Sequence, residues 1–180
     1  MLCISGTGGG ADLQFLGIDP QLLGTAEDTR QRFVRAIRSG DPGQANMAFS
    51  IKVDGEFVGY TLLNRYAPEV NYSHWHITEP GLRACGLSTA LYPLRIKMYF
   101  DAAPLKRLIH QTRTRNTGVN RMLDKYVPVA ETRYVEHPDG VAGSGDFHFR
   151  YVNPHDIPGF FKRAAELRAC YELELRSLKS

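Results

Sequence analysis

The chain of 180 residues is short of cysteine, with three, Cys3, Cys85 and Cys170, odd in number and far apart. That usage excludes a disulfide framework and a cysteine-based zinc site. It suits a reducing compartment, so a cytoplasmic location is expected and no metal is expected. Long apolar runs are also missing. None approaches the ~20 residues that a bilayer-spanning helix needs, so no membrane partner is expected. The opening Met-Leu-Cys-Ile-Ser-Gly-Thr-Gly-Gly-Gly lacks the basic and apolar regions of a signal peptide, and residues 1–20 read as a flexible leader. Neither common nucleotide loop is present: there is no Gly-x-x-x-x-Gly-Lys-Ser/Thr and no Gly-x-Gly-x-x-Gly. No internal repeat is visible. Charge of one sign is barely in excess, with a formal net charge of +3 and a pI near 8.8. This is compatible with an anionic cofactor or with nucleic acid and diagnostic of neither.

What is present is an ordinary globular composition, 43% hydrophobic and 23% charged, enough for one domain with a core. Thr25-Ala-Glu-Asp28 predicts a helix start, a hydroxyl cap with an acid three residues on. Two β-rich runs, Ala48 to Val53 and Glu56 to Leu63, flank Asp54-Gly55, a strong hairpin signal. Asn71 to Thr78 reads as a third strand. A helix follows from about Leu87 to Phe100, with Pro93 counting against it. Leu105 to Thr112 is a fourth strand. Asn116 caps a helix carrying Val119, Met122, Leu123 and Tyr126, closed by Pro128. Glu131 to Val135 and Phe147 to Val152 complete the strands. The mixed order predicts an α+β domain around one sheet. A last helix, about Gly159 to Leu178, carries an apolar stripe of Phe160, Ala164, Leu167, Tyr171 and Leu178. The stripe packs either on the domain itself or at a homodimer contact.

Between the third strand and the next helix runs Thr78-Glu-Pro-Gly-Leu-Arg83-Ala-Cys-Gly86-Leu-Ser88-Thr89. A turn rich in small residues that opens a helix points unpaired N–H groups outward at the helix's positive end, a ready place for phosphate. Gly86 lets the backbone come close to a ligand, and Arg83 offers a cation. The stretch Arg83-Ala84-Cys85-Gly86-Leu87-Ser88 resembles the Arg/Gln-x-x-Gly-x-Gly/Ala loop of the GNAT superfamily of N-acetyltransferases, which holds the pyrophosphate of acetyl-CoA. The order of elements over residues 24 to 152 is similar to the GNAT fold, a mixed central sheet flanked by helices, and the C-terminal helix goes beyond it. The run from Asn116 to Tyr126 is similar to the family's late motif, in which Asn opens a helix and helps hold CoA; Lys125 fits its spacing. Two positions depart from it. Leu123 stands where a Tyr often returns a proton to the departing thiolate, and Val127-Pro128 replaces the usual Gly-Phe. Tyr126, one turn later, is retained as the remaining candidate acid.

The resemblance implies acetyl transfer from acetyl-CoA, as the acyl donor, directly to an amine of a small molecule or peptide. It implies a cofactor site of the Ile77 and Thr78 backbone, Arg83, Ala84, Cys85, Gly86, Leu87, Ser88, Thr89 and Asn116. The strand from Leu105 to Thr112 is expected to splay away and form the other wall. A base with a pKa near neutrality is needed at the amine. His74 and His76 alternate along their strand and face one side, with Trp75 and Ile77 on the other. A His-x-His pair on this strand is similar to the arylalkylamine branch of the family, and His74 ranks before His76. His110, Glu79 and Glu56 are alternatives. Cys85 as an acyl carrier is a minor alternative. Tyr60, Tyr66, Tyr72, Tyr134 and Phe147 line an acceptor pocket or belong to the core. Arg95, Lys97, Lys106, Arg107, Arg113, Arg115 and Arg121 form either a solvated face near the CoA phosphates or a surface for an anionic acceptor. Acyltransfer to nucleic acid or a nucleotide, and non-catalytic acyl-CoA binding, are the competing readings. The organisation expected is a leader over 1–20, a GNAT-like catalytic domain over 21–153 and a C-terminal helix over 154–180.

Overall fold

Asp54 and Gly55 both adopt positive φ, 51° and 86°, the combination that matches the twist of two strands joined by a two-residue turn. They close the hairpin between β1 (Met47–Val53) and β2 (Glu56–Ala67). The computed structural model describes residues 25, 27–28, 30–31, 34, 47–83, 85–138 and 142–177, without the side chains of 65, 66 and 172–177. The expected leader therefore lies outside the described residues. At the predicted first helix start, Thr25 Oγ1 accepts from the Asp28 N–H and the Asp28 carboxylate accepts from the Thr25 N–H, a reciprocal cap.

After the hairpin come β3 (Val70–Ile77), α1 (Leu87–Ala102), β4 (Arg107–Arg113), α2 (Thr117–Leu123), β5 (Glu131–Val135), β6 (Gly145–Val152) and α3 (Ile157–Ser177), with single 3-10 turns at Pro80–Leu82 and Pro154–Asp156. The strands form one mixed sheet in the order β1-β2-β3-β4-β6-β5. Every adjacent pair is antiparallel except β3 and β4, which run parallel across the α1 crossover. This is the expected α+β architecture. Element boundaries agree with the sequence reading to within a few residues. The exception is Pro93, which was expected to weigh against the helix: α1 runs through it, and Pro93 is fully buried inside it.

Side chains alternate across the pleat, so each strand divides its residues between two faces. On one face Leu63, Leu108 and Val152 pack with Tyr92, Ile96 and Tyr99 of α1, Leu123 of α2 and Phe160 of α3. On the other, Tyr72, Ile109, Phe147 and Phe149 form a second cluster. The first half of the α3 stripe packs on the domain itself, with Phe160 buried, Ala164 and Leu167 half-buried and Tyr171 exposed. Lys125 Nζ donates to the Tyr171 hydroxyl at 3.1 Å.

Arg150 of β6 organises the region around α2. It is 0% exposed, yet every part of its guanidinium is used. Nε donates to the Val127 carbonyl, Nη1 to Thr112 Oγ1 and Asn120 Oδ1, and Nη2 to the Asp124 carboxylate at 2.6 Å. Asn120 Nδ2 in turn donates to the Arg113 and Thr114 carbonyls. A buried charge is tolerable only when it is paired and hydrogen-bonded in this way. The network ties α2 to the end of β4, and so fixes where Asn116 stands.

Candidate active site

The parallel ladder between β3 and β4 covers Val70 with Arg107, Asn71 with Leu108 and Tyr72 with Ile109, and then stops. Beyond Tyr72 the strands part, as the resemblance implies. From Ser73 to Ile77, β3 keeps β2 on one side and has no strand on the other. The backbone groups that would continue the ladder therefore face a cleft. Gly59 holds β2 close at its far end. A Cβ there would lie 2.3 Å from the His76 carbonyl oxygen, so only glycine permits the approach.

The cleft leads into the turn before α1. Gly86 caps α1 with φ 87°, in the left-handed region, and makes no side-chain cap bond. The first N–H groups of α1, at Leu87, Ser88 and Thr89, are therefore left without a side-chain cap. A Cβ at Gly86 would meet nothing within 4 Å, so the mouth of the turn is open. Arg83 is already engaged with the strand that precedes it. Its Nε donates to the Ile77 carbonyl at 3.1 Å and its Nη2 to the Thr78 carbonyl at 3.4 Å, so it braces the strand end with two of its nitrogens. The Thr78 N–H is also engaged, with the Val58 carbonyl at 2.9 Å. The Cys85 thiol donates to the Leu82 carbonyl at 3.0 Å, and Glu79 accepts from the Gly81 N–H; both shape the turn. Ala84 lies outside the described residues.

Asn116 is the N-cap of α2, its Oδ1 accepting from the Val119 N–H at 3.3 Å. Leu123 is 2% exposed in the main core and presents no polar group to the cleft. Tyr126 stacks on Tyr92 with centroids 4.5 Å apart. Its hydroxyl donates to the Thr89 carbonyl at 2.8 Å, which brings it to the first turn of α1 with its proton already in use. Burial, foremost, raises its pKa.

His74 and His76 share the sheet face opposite α1, as expected, while Trp75 turns to α1, where the Arg95 guanidinium lies 4.1 Å from its ring centre. His76 stacks on Tyr60 at 4.8 Å. Enclosure by surrounding atoms, and then the neighbouring His74, lower the His76 pKa to about 4. The side chain is nonetheless exposed, and the direction of the shift leaves a neutral imidazole at neutral pH. His110 is a correction to the list of bases. It is buried, with Nδ1 2.9 Å from Ser73 Oγ and Nε2 3.0 Å from the Tyr92 hydroxyl. Both nitrogens are committed, and burial, foremost, drives its pKa well below the ordinary value.

Arg95 is a second correction. The sequence grouped it with a solvated basic face, and it is 7% exposed. Lys97 and Lys106 of that group are exposed and paired with Asp101 and Glu69; Arg107, Arg115 and Arg121 are exposed and Arg113 half-buried. Among the aromatic candidates, Tyr72 and Phe147 belong to the core, Tyr134 is exposed and Tyr60 lies beside His76. The Tyr66 side chain lies outside the described residues. Among these residues no group of three potential metal ligands comes together, and no helix is long and apolar enough to cross a membrane.

Sequence reasoning missed Ser73, Tyr92 and Tyr99, the polar groups bridging the split. The available signal was a serine in strand alternation beside the histidines, and two tyrosines and an arginine at helical spacing in an otherwise apolar stripe.

A splayed parallel pair, followed by a turn and an open helix N-terminus, defines the class: the chain has the fold of the GNAT acetyltransferases. No protein-family model matches the sequence, and no curated protein shows a significant match to it. Solved structures do. Mycobacterium smegmatis RimJ in complex with CoA-disulfide is 19% identical, over 88% of this chain and 78% of that one, with a TM-score of 0.63. RimL, a ribosomal L7/L12 alpha-N-protein acetyltransferase in complex with coenzyme A, is 16% identical over 79% and 81%, with a TM-score of 0.62. The aminoglycoside acetyltransferase AAC(6')-Ib, in complex with coenzyme A and kanamycin, is 12% identical over 82% and 90%, with a TM-score of 0.61.

Proposed function

We propose that this chain is an acetyl-CoA-dependent N-acetyltransferase acting on an amine of a small molecule or peptide. The observation that carries the reading is the early end of the β3–β4 ladder at Tyr72 and Ile109. It leaves a free strand edge running straight into an uncapped, open helix N-terminus. The residues present fit the donor. The N–H groups of Leu87, Ser88 and Thr89 suit a pyrophosphate, the edge from Ser73 to Ile77 suits a pantetheine arm, and Asn116 stands at the facing helix start. When bound, acetyl-CoA supplies an activated acetyl group.

The chain's own task is to hold the reacting atoms and to take a proton from the amine. His74, on the face away from α1, is the base in this reading, acting directly or through water. His76 beside it is neutral at working pH and stacked on Tyr60, which suits it to lining the amine side. Tyr126, with its hydroxyl on Thr89, supports the first turn of α1. The neighbours include a ribosomal L7/L12 alpha-N-protein acetyltransferase and an aminoglycoside acetyltransferase, and the acceptor class proposed here is no narrower. Residues 21–153 would form the catalytic domain, 154–180 its C-terminal helix, and the cytoplasm its location.

The test is thiol release from acetyl-CoA over a panel of amines and N-terminal peptides, with acetyl-CoA binding followed by calorimetry. Binding with amine-dependent release supports the reading. Absence of binding at millimolar acetyl-CoA overturns it, and binding without release over the panel would leave a non-catalytic acyl-CoA binder.

A further inference from the structure

The hydrogen bonds at the apex of the β3–β4 cleft run in one direction. Thr61 Oγ1 lies 2.7 Å from the His74 carbonyl, which only accepts, so the single Thr61 proton is spent there. The contact between the Thr61 and Tyr99 hydroxyls is then donated by Tyr99. Ser73 also bonds Tyr99; with the Tyr99 proton spent, Ser73 is the donor. His110 Nδ1, 2.9 Å from Ser73 Oγ, therefore carries the imidazole proton, and Nε2 accepts from Tyr92. The Tyr126 proton goes to Thr89, and Leu123 has none to give. These groups form a chain in which each of the named side-chain protons is already bound to a protein acceptor.

Arg95 is different. Its Nε meets no hydrogen-bond partner, and among the described residues no carboxylate pairs with it. The guanidinium rests between the rings of Trp75 and Tyr92, 4.1 and 5.3 Å from their centres. Trp75 belongs to the unpaired end of β3, and the Arg95 charge also acts on His110 of β4. The cation therefore sits on the α1 side of the split, beside the edge along which an arm from the Gly86 turn would run. A cation taken out of water without an anion is costly, and the ring faces offset only part of that cost. A buried cation with no anionic partner, packed on the unpaired end of a strand, is what an anionic ligand group completes.

We infer that Arg95 is the electrostatic partner of the coenzyme A sulfur, holding it as an anion when it leaves, in place of the hydroxyl donor that Leu123 lacks. The inference rests on the acetyltransferase reading above. In the step, the amine nitrogen bonds to the acetyl carbon and its proton goes to His74. The carbon–sulfur bond breaks with the electron pair on sulfur, facing the guanidinium. No proton is required from the site, and the product leaves as amide and thiolate.

The experiment is a pH titration of the thiol of bound coenzyme A, read by the ultraviolet absorbance of the thiolate, on the full chain. In the parent protein the thiol ionises ~1–3 pH units below that of free coenzyme A, the shift an adjacent cation produces. Arg95→Met abolishes the shift, and Arg95→Lys retains part of it. Turnover with any accepted amine falls ~10²–10³-fold in Arg95→Met, while KM for acetyl-CoA changes little. A parent protein that binds coenzyme A but leaves its thiol pKa at the free value overturns the inference without any variant. So does a shift that survives in Arg95→Met. Failure of the parent to bind coenzyme A at all overturns the acetyltransferase reading itself, which is a separate result.

Discussion

Ser73 and His110 are the first residues of β3 and β4 beyond the last backbone pair, and a side-chain hydrogen bond of 2.9 Å joins them where the ladder stops. The strands part, yet the apex of the cleft is stitched. This stitch fixes how wide the split begins, and it forces His110 into a single neutral tautomer with both nitrogens used.

His110→Phe is therefore expected to leave Tyr92 without its buried partner and Ser73 with Tyr99 alone. Each unmade bond costs about 1–3 kcal/mol, so the variant should lose roughly 2–5 kcal/mol in urea unfolding. His110→Gln, which still donates and accepts, should recover a good part of it. Equal losses in the two variants would show that ring packing, not the polar stitch, is what matters.

Arg150 and Asp124 form an unequal pair: the arginine side chain is 1% exposed and the aspartate 55%. Arg150→Met removes donors from Val127, Thr112, Asn120 and Asp124 together. Breaking such a buried cluster costs ~3–5 kcal/mol. Asp124→Asn keeps an acceptor at a solvated position but takes the counter-charge from the buried Arg150, and should cost about 1–3 kcal/mol, less than Arg150→Met. Thermal unfolding of both variants checks the asymmetry; a larger loss from Asp124→Asn would contradict it.

The hairpin, the order of elements along the chain and the C-terminal helix could be read from the sequence because each rests on a local signal. Asp54-Gly55 dictates its turn, and Asn116 caps its helix through its own side chain. The turn before α1 was legible for the same reason. What stayed hidden depends on which distant groups share a cavity. Arg95 looks like any surface arginine beside Lys97 until α1 is placed on β3 and its guanidinium meets Trp75. His110 looks like a free base until Ser73 and Tyr92 close on it from 37 positions back and 18 positions back. Arg83 reads as a phosphate ligand, but the carbonyls nearest to it belong to the strand end just before it. Pairing of this kind carries no periodicity, so no pattern in the sequence announces it.

Gly86 and Gly118 give a matched comparison of shape at the donor site. A Cβ at either meets nothing within 4 Å, but only Gly86 has a left-handed φ, 87°. Gly86→Ala should cost about 1–2 kcal/mol of backbone strain, and acetyl-CoA affinity should fall as the turn relaxes. Gly118→Ala lies within α2 and should be neutral or stabilising by up to ~1 kcal/mol. Melting temperatures with and without acetyl-CoA separate the two. An unchanged ligand-induced shift in Gly86→Ala would remove that turn from the donor site.

His74 and His76 make opposite predictions although they are two residues apart on one face. If His74 takes the amine proton, His74→Ala lowers turnover ~10²–10⁴-fold with little change in acetyl-CoA binding; unchanged turnover sinks that role. His76 is neutral in the folded chain because its pKa is lowered to about 4, so a rate limb near neutrality does not arise from it and should persist in His76→Gln. Its effect lies in stability. The unfolded chain takes up the His76 proton at the ordinary histidine pKa, ~6.5, while the folded chain resists until about 4. Between those values the unfolded state binds more protons, so stability rises with pH there. The contribution is complete above the unfolded pKa and is lost as pH falls toward 4. Urea unfolding from pH 7.5 down to the acid limit should therefore show a decline that is shallower in His76→Gln. His110, also depressed by burial, keeps a residual slope in that variant. Parallel curves for parent and variant would mean that His76 titrates normally in the folded chain.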